Sequence, residues 1–257
     1  MRVMKALFVQ KSFCGAINRL ALMTALLMMV VASGSRMIIA SPMQDAAGKE
    51  QLQAKIADVK ASLAKNQEEL RQYTWMETTE ISLKGEVKSK TQNSCLYGPD
   101  GKVVKKLVSA PAEKKDAPRG LKGKIVENKV DDLKDYMEKT AGLIKLYIPP
   151  DPAKMQASFQ AGKAALTQPS AGKAVLTFSD YALKGDKFSL TFDTAGKKIV
   201  SVDVHSYLDK PDDVVSLNAG FTSLPEGINY LSKSVLDATA KKVQVKTTNS
   251  GYKKAGQ

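Results

Sequence analysis

Apolar and polar side chains alternate through most of residues 173–247. Within residues 186–193, Phe188, Leu190 and Phe192 occupy every second position, which puts them on one face of a β-strand and their polar neighbours on the other. The turn signals that separate such segments are spaced by about ten residues, whereas a parallel crossover needs a dozen or more. The pattern therefore predicts consecutive antiparallel hairpins that form one sheet with a single apolar face.

The same rules predict further strands and helices on both sides of this region. Pro99 and Gly101 mark a tight hairpin turn, because proline and glycine supply the backbone angles that such turns use. The prolines at residues 149–152 end a helix, since proline cannot continue its hydrogen bonding. The predicted helices cover residues 51–73, 125–148 and 153–166. The flanking strands are predicted over residues 73–83, 86–97, 102–108, 229–236 and 242–247.

The order of these elements defines the expected fold class. A helix, three strands, two helices and about six strands follow one another without alternating βαβ units. We therefore predict an α+β fold, a single curved antiparallel sheet of about nine strands (an unclosed barrel) with helices covering its apolar face. In the strand over residues 73–83, Glu77 and Thr79 share that face with Trp75. One domain is expected over residues 41–248, followed by a disordered polar tail at residues 249–257.

Residues 1–40 predict export. Basic residues such as Arg2 and Arg19 precede an apolar run at residues 20–32, which is the layout of a secretory signal peptide. Cleavage is expected after Ala40 or after Gly34. The run is shorter than the roughly 20 residues of a bilayer-spanning helix, so we expect no transmembrane span after removal of the signal; an uncleaved anchor is the alternative. The predicted location is periplasmic or secreted.

The sequence contains no arrangement of residues typical of a catalytic or metal site. Cys14 precedes the apolar run, so Cys95 is alone in the predicted mature chain and no internal disulfide is expected. His205, the one histidine, lies on the polar face of its predicted strand without a second ligand at metal-binding spacing. We therefore predict a non-enzymatic protein without metal or cofactor, in which Cys95 is a buried apolar residue rather than a reactive thiol.

Residues 102–124 carry eight basic and two acidic residues, a large part of the chain's excess positive charge. This pattern is typical of a solvated loop or, alternatively, of a patch that contacts an anionic surface through point charges. The cations proposed for such a contact are Lys114, Lys115, Arg119 and Lys122. Because no aromatic residues are interleaved to stack on bases, no nucleic-acid partner is expected.

Two stretches and the order of the elements carry a resemblance to a known family. These are Tyr73-Thr74-Trp75-Met76-Glu77 after the first helix, and the hairpin over residues 190–199. With the helical segment after the third strand, the layout of residues 47–248 resembles the outer-membrane lipoprotein-sorting carriers, and more closely uncharacterised exported proteins of that shape. The resemblance implies a periplasmic half-barrel that shields acyl chains between sheet and helices. It transfers no site residue, and the basic segment is a departure from the family.

Two functional hypotheses are consistent with these observations. In the first, the protein is a periplasmic binding protein that shields a lipid, or the acyl chain of an envelope lipoprotein, between the curved sheet and the helices. In the second, it is a structural or interaction module of the cell envelope that uses residues 102–124 to bind a protein partner or an anionic surface. The residues proposed to line the lipid pocket of the first hypothesis are Trp75, Phe178, Phe188, Leu190, Phe192, Leu217 and Phe221.

Overall fold

A computed structural model describes residues 64–109 and 121–256 of the chain. Ten strands form one sheet in which every pairing is antiparallel. The strands are β1 (Tyr73–Leu83), β2 (Glu86–Tyr97), β3 (Val103–Ser109), β4 (Ala164–Ser170), β5 (Lys173–Ser179), β6 (Lys187–Asp193), β7 (Lys198–Tyr207), β8 (Val214–Ser223), β9 (Asn229–Ala238) and β10 (Val243–Lys254). The helices are α1, described over residues 64–70, α2 (Leu121–Ile144) and α3 (Pro152–Gln160).

The strands follow one another across the sheet except at one place. Their order is β3-β2-β1-β10-β9-β8-β7-β6-β5-β4, so β10 lies between β1 and β9, and β3 and β4 are the two edges. The edges do not pair with each other, and the sheet is therefore not closed. The predicted α+β fold with one unclosed antiparallel sheet is confirmed, with ten strands instead of about nine.

Local turn chemistry explains why the hairpins form where the sequence predicts them. The β1–β2 turn consists of Lys84 (φ 54°) and Gly85 (φ 82°), two residues in the left-handed region that two-residue hairpin turns of this kind require. Both strands have the bounds predicted from the alternation. Alternation and tight turns are properties of neighbouring residues, so they could be recognised without the tertiary structure.

The third predicted helix is wrong in its second half. It was expected over residues 153–166, but α3 ends at Gln160, and residues 164–170 form β4 instead. Gly162 has φ 67° and breaks the helical backbone. Beyond it, β4 pairs with β5, with Leu166 opposite Leu176. Pairing with a neighbouring strand therefore determines the conformation of a segment that the local spacing assigned to a helix.

The C-terminal end also differs from the prediction. β10 continues beyond the expected end at Thr247 to Lys254, so the expectation of a disordered tail is wrong for residues 249–254. Asn249 and Ser250 pair with Glu77 and Met76 of β1. The polar composition of this segment suggested a tail, but hydrogen bonding to β1 orders it as a strand.

The main apolar core lies between the sheet and the helices α2 and α3. Helical residues Met137, Ile144 and Met155 pack with sheet residues such as Phe188 and Leu217 in one buried cluster. The face of the sheet that carries these residues is called the inner face below. No helix in the two described ranges is long and apolar enough to cross a bilayer. The predicted signal peptide lies outside those ranges.

Candidate ligand-binding face

The inner face changes from apolar to polar along a single row of paired residues. Directly paired residues of neighbouring strands have their side chains on the same face of a sheet. From β5 to β8 the row is apolar, and from β9 to β2 every member carries a hydroxyl group. In order, the row consists of Leu176, Leu190, Val202, Ala219, Ser234, Thr247, Thr79 and Thr91. All eight side chains are buried.

A second row of polar residues adjoins the hydroxyl row. Glu77 of β1 pairs with Asn249 of β10 on one side and with Asn93 of β2 on the other. All three are buried, and Glu77 is 1% exposed. We call the two polar rows together the polar strip. It consists of Glu77, Thr79, Thr91, Asn93, Ser234, Thr247 and Asn249.

Several buried polar atoms in and beside the polar strip lack hydrogen bonds. Within the described part of the chain, no partner is present for Ser234 Oγ, Thr247 Oγ1 or Asn249 Oδ1. The same holds for Trp75 Nε1 and Tyr73 OH, which lie farther along β1. Buried polar groups are nearly always hydrogen-bonded, since leaving one unsatisfied costs about 1–3 kcal/mol. These atoms are concentrated on β1, β9 and β10, which makes this part of the inner face the candidate site.

The carboxylate of Glu77 in the polar strip is neutralised by Lys105. Lys105 of the edge strand β3 donates to both carboxylate oxygens of Glu77, with 2.7 Å between Nζ and each oxygen. The Lys105 side chain is 22% exposed, so its stem lies partly within the protein. The pair leaves the polar strip without net charge.

Helix α1 is attached to the sheet beside the polar strip. Asn66 Nδ2 donates to the backbone oxygen of Asn229 at 2.8 Å, and the backbone nitrogen of Asn229 donates to Asn66 Oδ1 at 2.5 Å. Leu70 packs with Tyr73 and Ile228 in a small apolar cluster next to this contact. Asn66 lies in the first predicted helix, and its side chain binds α1 to the start of β9.

An aromatic group lies at the β1 end of the polar strip. The ring centroids of Trp75 and Tyr252 are 5.5 Å apart with nearly parallel planes, and those of Trp75 and Tyr97 are 5.3 Å apart. Tyr230 adjoins Tyr252 at 4.3 Å. Trp75 therefore lies among tyrosines and not among the phenylalanines with which it was predicted to line a pocket.

The other predicted pocket residues lie on the apolar half of the inner face. Phe178, Phe188, Leu190 and Leu217 are almost completely buried in the core that α2 and α3 cover. Phe192 and Phe221 are only half-buried at its border. Their contact with a ligand stays a prediction.

The cysteine, the histidine and the basic patch considered in the sequence analysis do not belong to the polar strip. Cys95 is fully buried, and its Sγ lies 3.9 Å from the backbone oxygen of Asn93, while His205 is exposed. No group of three or more potential metal-ligating side chains occurs within residues 64–109 and 121–256.

Of the predicted basic patch, Lys114, Lys115 and Arg119 lie outside the described residues. Lys122 falls within α2, at a position where side chains are not described.

A cavity of about 380 Å³ lies at the other end of the central strands, between the β1–β2 and β9–β10 turns. Gly85, Asp237 and Lys242 are among its lining residues. None of the residues predicted to bind lipid lines this cavity, and neither does any of the polar atoms that lack partners.

Burial suppresses the ionisation of several tyrosines around the inner face. It raises the pKa of Tyr97 and of Tyr181 to about 12. Burial also raises the pKa of Tyr252, of Tyr136 and of Tyr147; a hydrogen bond to a carboxylate contributes for the last two. These phenols stay protonated in the folded protein at a pH where an exposed tyrosine ionises.

We expect the protein to lose stability steeply above about pH 10. The unfolded chain releases tyrosine protons near pH 10 while the folded chain retains them, so the unfolded state binds fewer protons and is favoured as the pH rises toward about 12. Each such tyrosine contributes up to about 1.4 kcal/mol per pH unit. Urea unfolding at a series of pH values, with phenolate absorbance of the folded protein as control, measures this effect. Folded-state absorbance that rises fully near pH 10 would contradict it.

Comparison with known proteins gives little further information. No model of a known protein family matches the sequence, and no curated protein matches it. A crystal structure of a DUF1329 family protein from Desulfovibrio piger is similar over 78% of this chain and 92% of its own, with a TM-score of 0.35 and 10% sequence identity. The class of the protein therefore rests on its own fold, an unclosed antiparallel sheet with helices packed on its inner face.

Proposed function

We propose that this protein is a non-enzymatic binding protein that holds an amphipathic molecule, a lipid or an acyl chain, on the inner face of its sheet. The observation that carries the proposal is the boundary between Ala219 and Ser234. There the buried apolar row meets a buried polar strip in which three side-chain atoms lack partners within the described chain. A lipid has both an apolar chain and a polar head, so it matches both sides of this boundary.

The acyl chain of the ligand is proposed to pack against apolar residues that adjoin the polar strip. Phe221 of β8 pairs with Leu231 of β9, and both are half-buried. Asn249 of the polar strip donates its Nδ2 to the backbone oxygen of Leu231 at 2.9 Å, so the two regions adjoin. An acyl chain that packs against Phe221 and Leu231 brings its head group to Asn249.

Helix α1 must move for a ligand to reach the polar strip. The polar strip is buried, and α1 is held beside it by the two hydrogen bonds between Asn66 and Asn229. Opening must break these hydrogen bonds, which contribute about 0.5–1.5 kcal/mol each, and also the packing of Leu70 against Tyr73 and Ile228. The signal peptide predicted in residues 1–40 and the resemblance to lipoprotein-sorting carriers support an envelope lipid as the source of the ligand.

Phe221→Ala is expected to weaken lipid retention about fivefold, because removing an aromatic contact of a half-buried ring loses about 1 kcal/mol of apolar burial. Native mass spectrometry of the mature protein, purified gently from the cell envelope and followed by solvent extraction, measures the bound lipid. Leu166→Ala on the edge strand β4, where the side chain is 63% exposed, is the matched control and should bind as the parent does. A protein that stays empty after incubation with envelope-lipid vesicles would refute the proposal.

A further inference from the structure

We propose that the polar strip recognises an uncharged head group rich in hydroxyl groups, such as a sugar or a glycerol, and discriminates against a phosphate. This inference rests on the proposed function, because it specifies the polar end of the same ligand. It follows from three properties of the polar strip: its charge balance, the hydrogen-bonding capacity of its atoms, and their spacing.

The charge balance of the polar strip disfavours an anion. On the inner face of β1, β2, β9 and β10, as far as these strands are described, Glu77 is the one charged side chain, and Lys105 reaches it from β3. The cation of Lys105 is already engaged by both oxygens of Glu77. A phosphate at this place would be buried beside a carboxylate, and the lysine that the described strands bring here is already bound to that carboxylate.

The hydrogen-bonding capacity of the atoms without partners points in the same direction. The Nδ2 of Asn249 donates to a backbone oxygen, which fixes the amide so that Oδ1 is the atom left without a partner. An amide oxygen can only accept, so the ligand must donate a hydrogen bond to it. A hydroxyl group donates and accepts, whereas an ionised phosphate oxygen accepts only. Ser234 and Thr247 carry hydroxyl groups that pair with either kind of atom.

The spacing of these atoms matches a small polyol. Asn249 and Thr247 lie two residues apart on β10, and Ser234 of β9 is directly opposite Thr247. Such neighbours are separated by roughly 5–7 Å at their Cβ atoms. Two or three hydroxyl groups on one sugar ring or on a glycerol can therefore reach all three side chains together.

Two detergents with the same twelve-carbon chain test the head-group preference. The probes are n-dodecyl-β-D-maltoside and dodecyl phosphate, each below its micelle concentration, with the fluorescence of Trp75, the chain's single tryptophan, as the readout alongside calorimetry. We expect the maltoside to bind at least tenfold more tightly. Equal or tighter binding of the phosphate would overturn the head-group inference and leave the proposed function standing. Failure of both probes to bind would refute the proposed function itself.

Thr247→Val separates recognition from folding. The variant keeps the shape of the side chain and removes a hydroxyl group that has no partner within the described chain, so its melting temperature should not fall. Its dissociation constant for the maltoside should rise about tenfold. Thr248→Val, at the adjacent position on the opposite face of β10, is the matched control and should leave that constant unchanged. An unchanged constant in Thr247→Val, or an equal rise in the control, would overturn the assignment.

Discussion

Replacing Asp186 with alanine is expected to lower the free energy of unfolding by about 3–5 kcal/mol. The carboxylate is 1% exposed and accepts four hydrogen bonds. They come from the backbone nitrogens of Tyr181 (2.6 Å), Ala182 (2.9 Å) and Leu183 (2.6 Å), and from the hydroxyl of Tyr147 (2.5 Å). Alanine would leave these donors without an acceptor in the core, at a cost of about 1–3 kcal/mol for each one that water does not reach.

Urea unfolding followed by circular dichroism measures this loss. Asp209→Ala is the matched control, because the Asp209 side chain is 75% exposed and forms only a surface ion pair, whose contribution is about 0–1 kcal/mol. Asp186→Asn should give an intermediate value, since the amide keeps one acceptor oxygen. If Asp186→Ala lost less than about 1 kcal/mol, the turn could rearrange and satisfy its own backbone groups.

The role of Asp186 could not be predicted from the sequence. Next to Gly185 it has the composition of an ordinary turn residue, and turns are rich in aspartate for local reasons. In the structure, Tyr147 donates to Asp186 and also shares a hydrogen bond with Ser206 at 2.7 Å. These contacts join the segment after α2 to the β5–β6 connection and to β7. Residues that lie 39 and 59 positions from Tyr147 determine this site, so no local pattern reveals it.

The structural features that the sequence did predict are those that neighbouring residues determine. The alternation of Phe188 with polar residues and the turn signal of Pro99 and Gly101 define strands and hairpins locally, and the structure confirms them. The fold class followed from the order of these elements. Where the outcome depends on pairing with another strand, prediction failed: Leu166 belongs to β4 because it pairs with β5, and Asn249 belongs to β10 because it pairs with β1.

The candidate site was predicted only in part for the same reason. The apolar residues of the inner face were found, but the polar strip was not recognised. One signal was present, because Glu77 and Thr79 interrupt the apolar face of their predicted strand. Thr247 continues the alternation of Val243 and Val245, and Ser234 that of Leu236 and Ala238, so the local sequence predicts their face of the strand but not their place in the sheet. Only the register of β9, β10 and β1 brings these hydroxyl groups into one row.

Phe188→Ala is expected to destabilise the protein by about 3–5 kcal/mol, as large-to-small changes of buried phenylalanines do. The side chain of Phe188 is fully buried. Its ring centroid lies 5.0 Å from that of Tyr181, 5.9 Å from that of Phe178 and 6.2 Å from that of Tyr147. The substitution removes the central ring of this group and leaves a cavity that the sheet backbone cannot close. The shift of the urea midpoint measures the loss, and Phe188→Leu should lose much less because it fills most of the volume.

The same variant decides whether Phe188 contacts the ligand. Rings from the segments that follow α2 and β5 pack around Phe188, so we expect a lipid on the inner face to bind elsewhere. The lipid bound per folded molecule, measured by native mass spectrometry under conditions where the variant is still folded, should therefore equal that of the parent. Phe221→Ala should show the opposite behaviour, with less lipid bound and a smaller loss of stability, since Phe221 is half-buried at the border of the core. A loss of lipid in Phe188→Ala without a loss of stability would instead place the ligand in the apolar half, where the sequence alone predicted it.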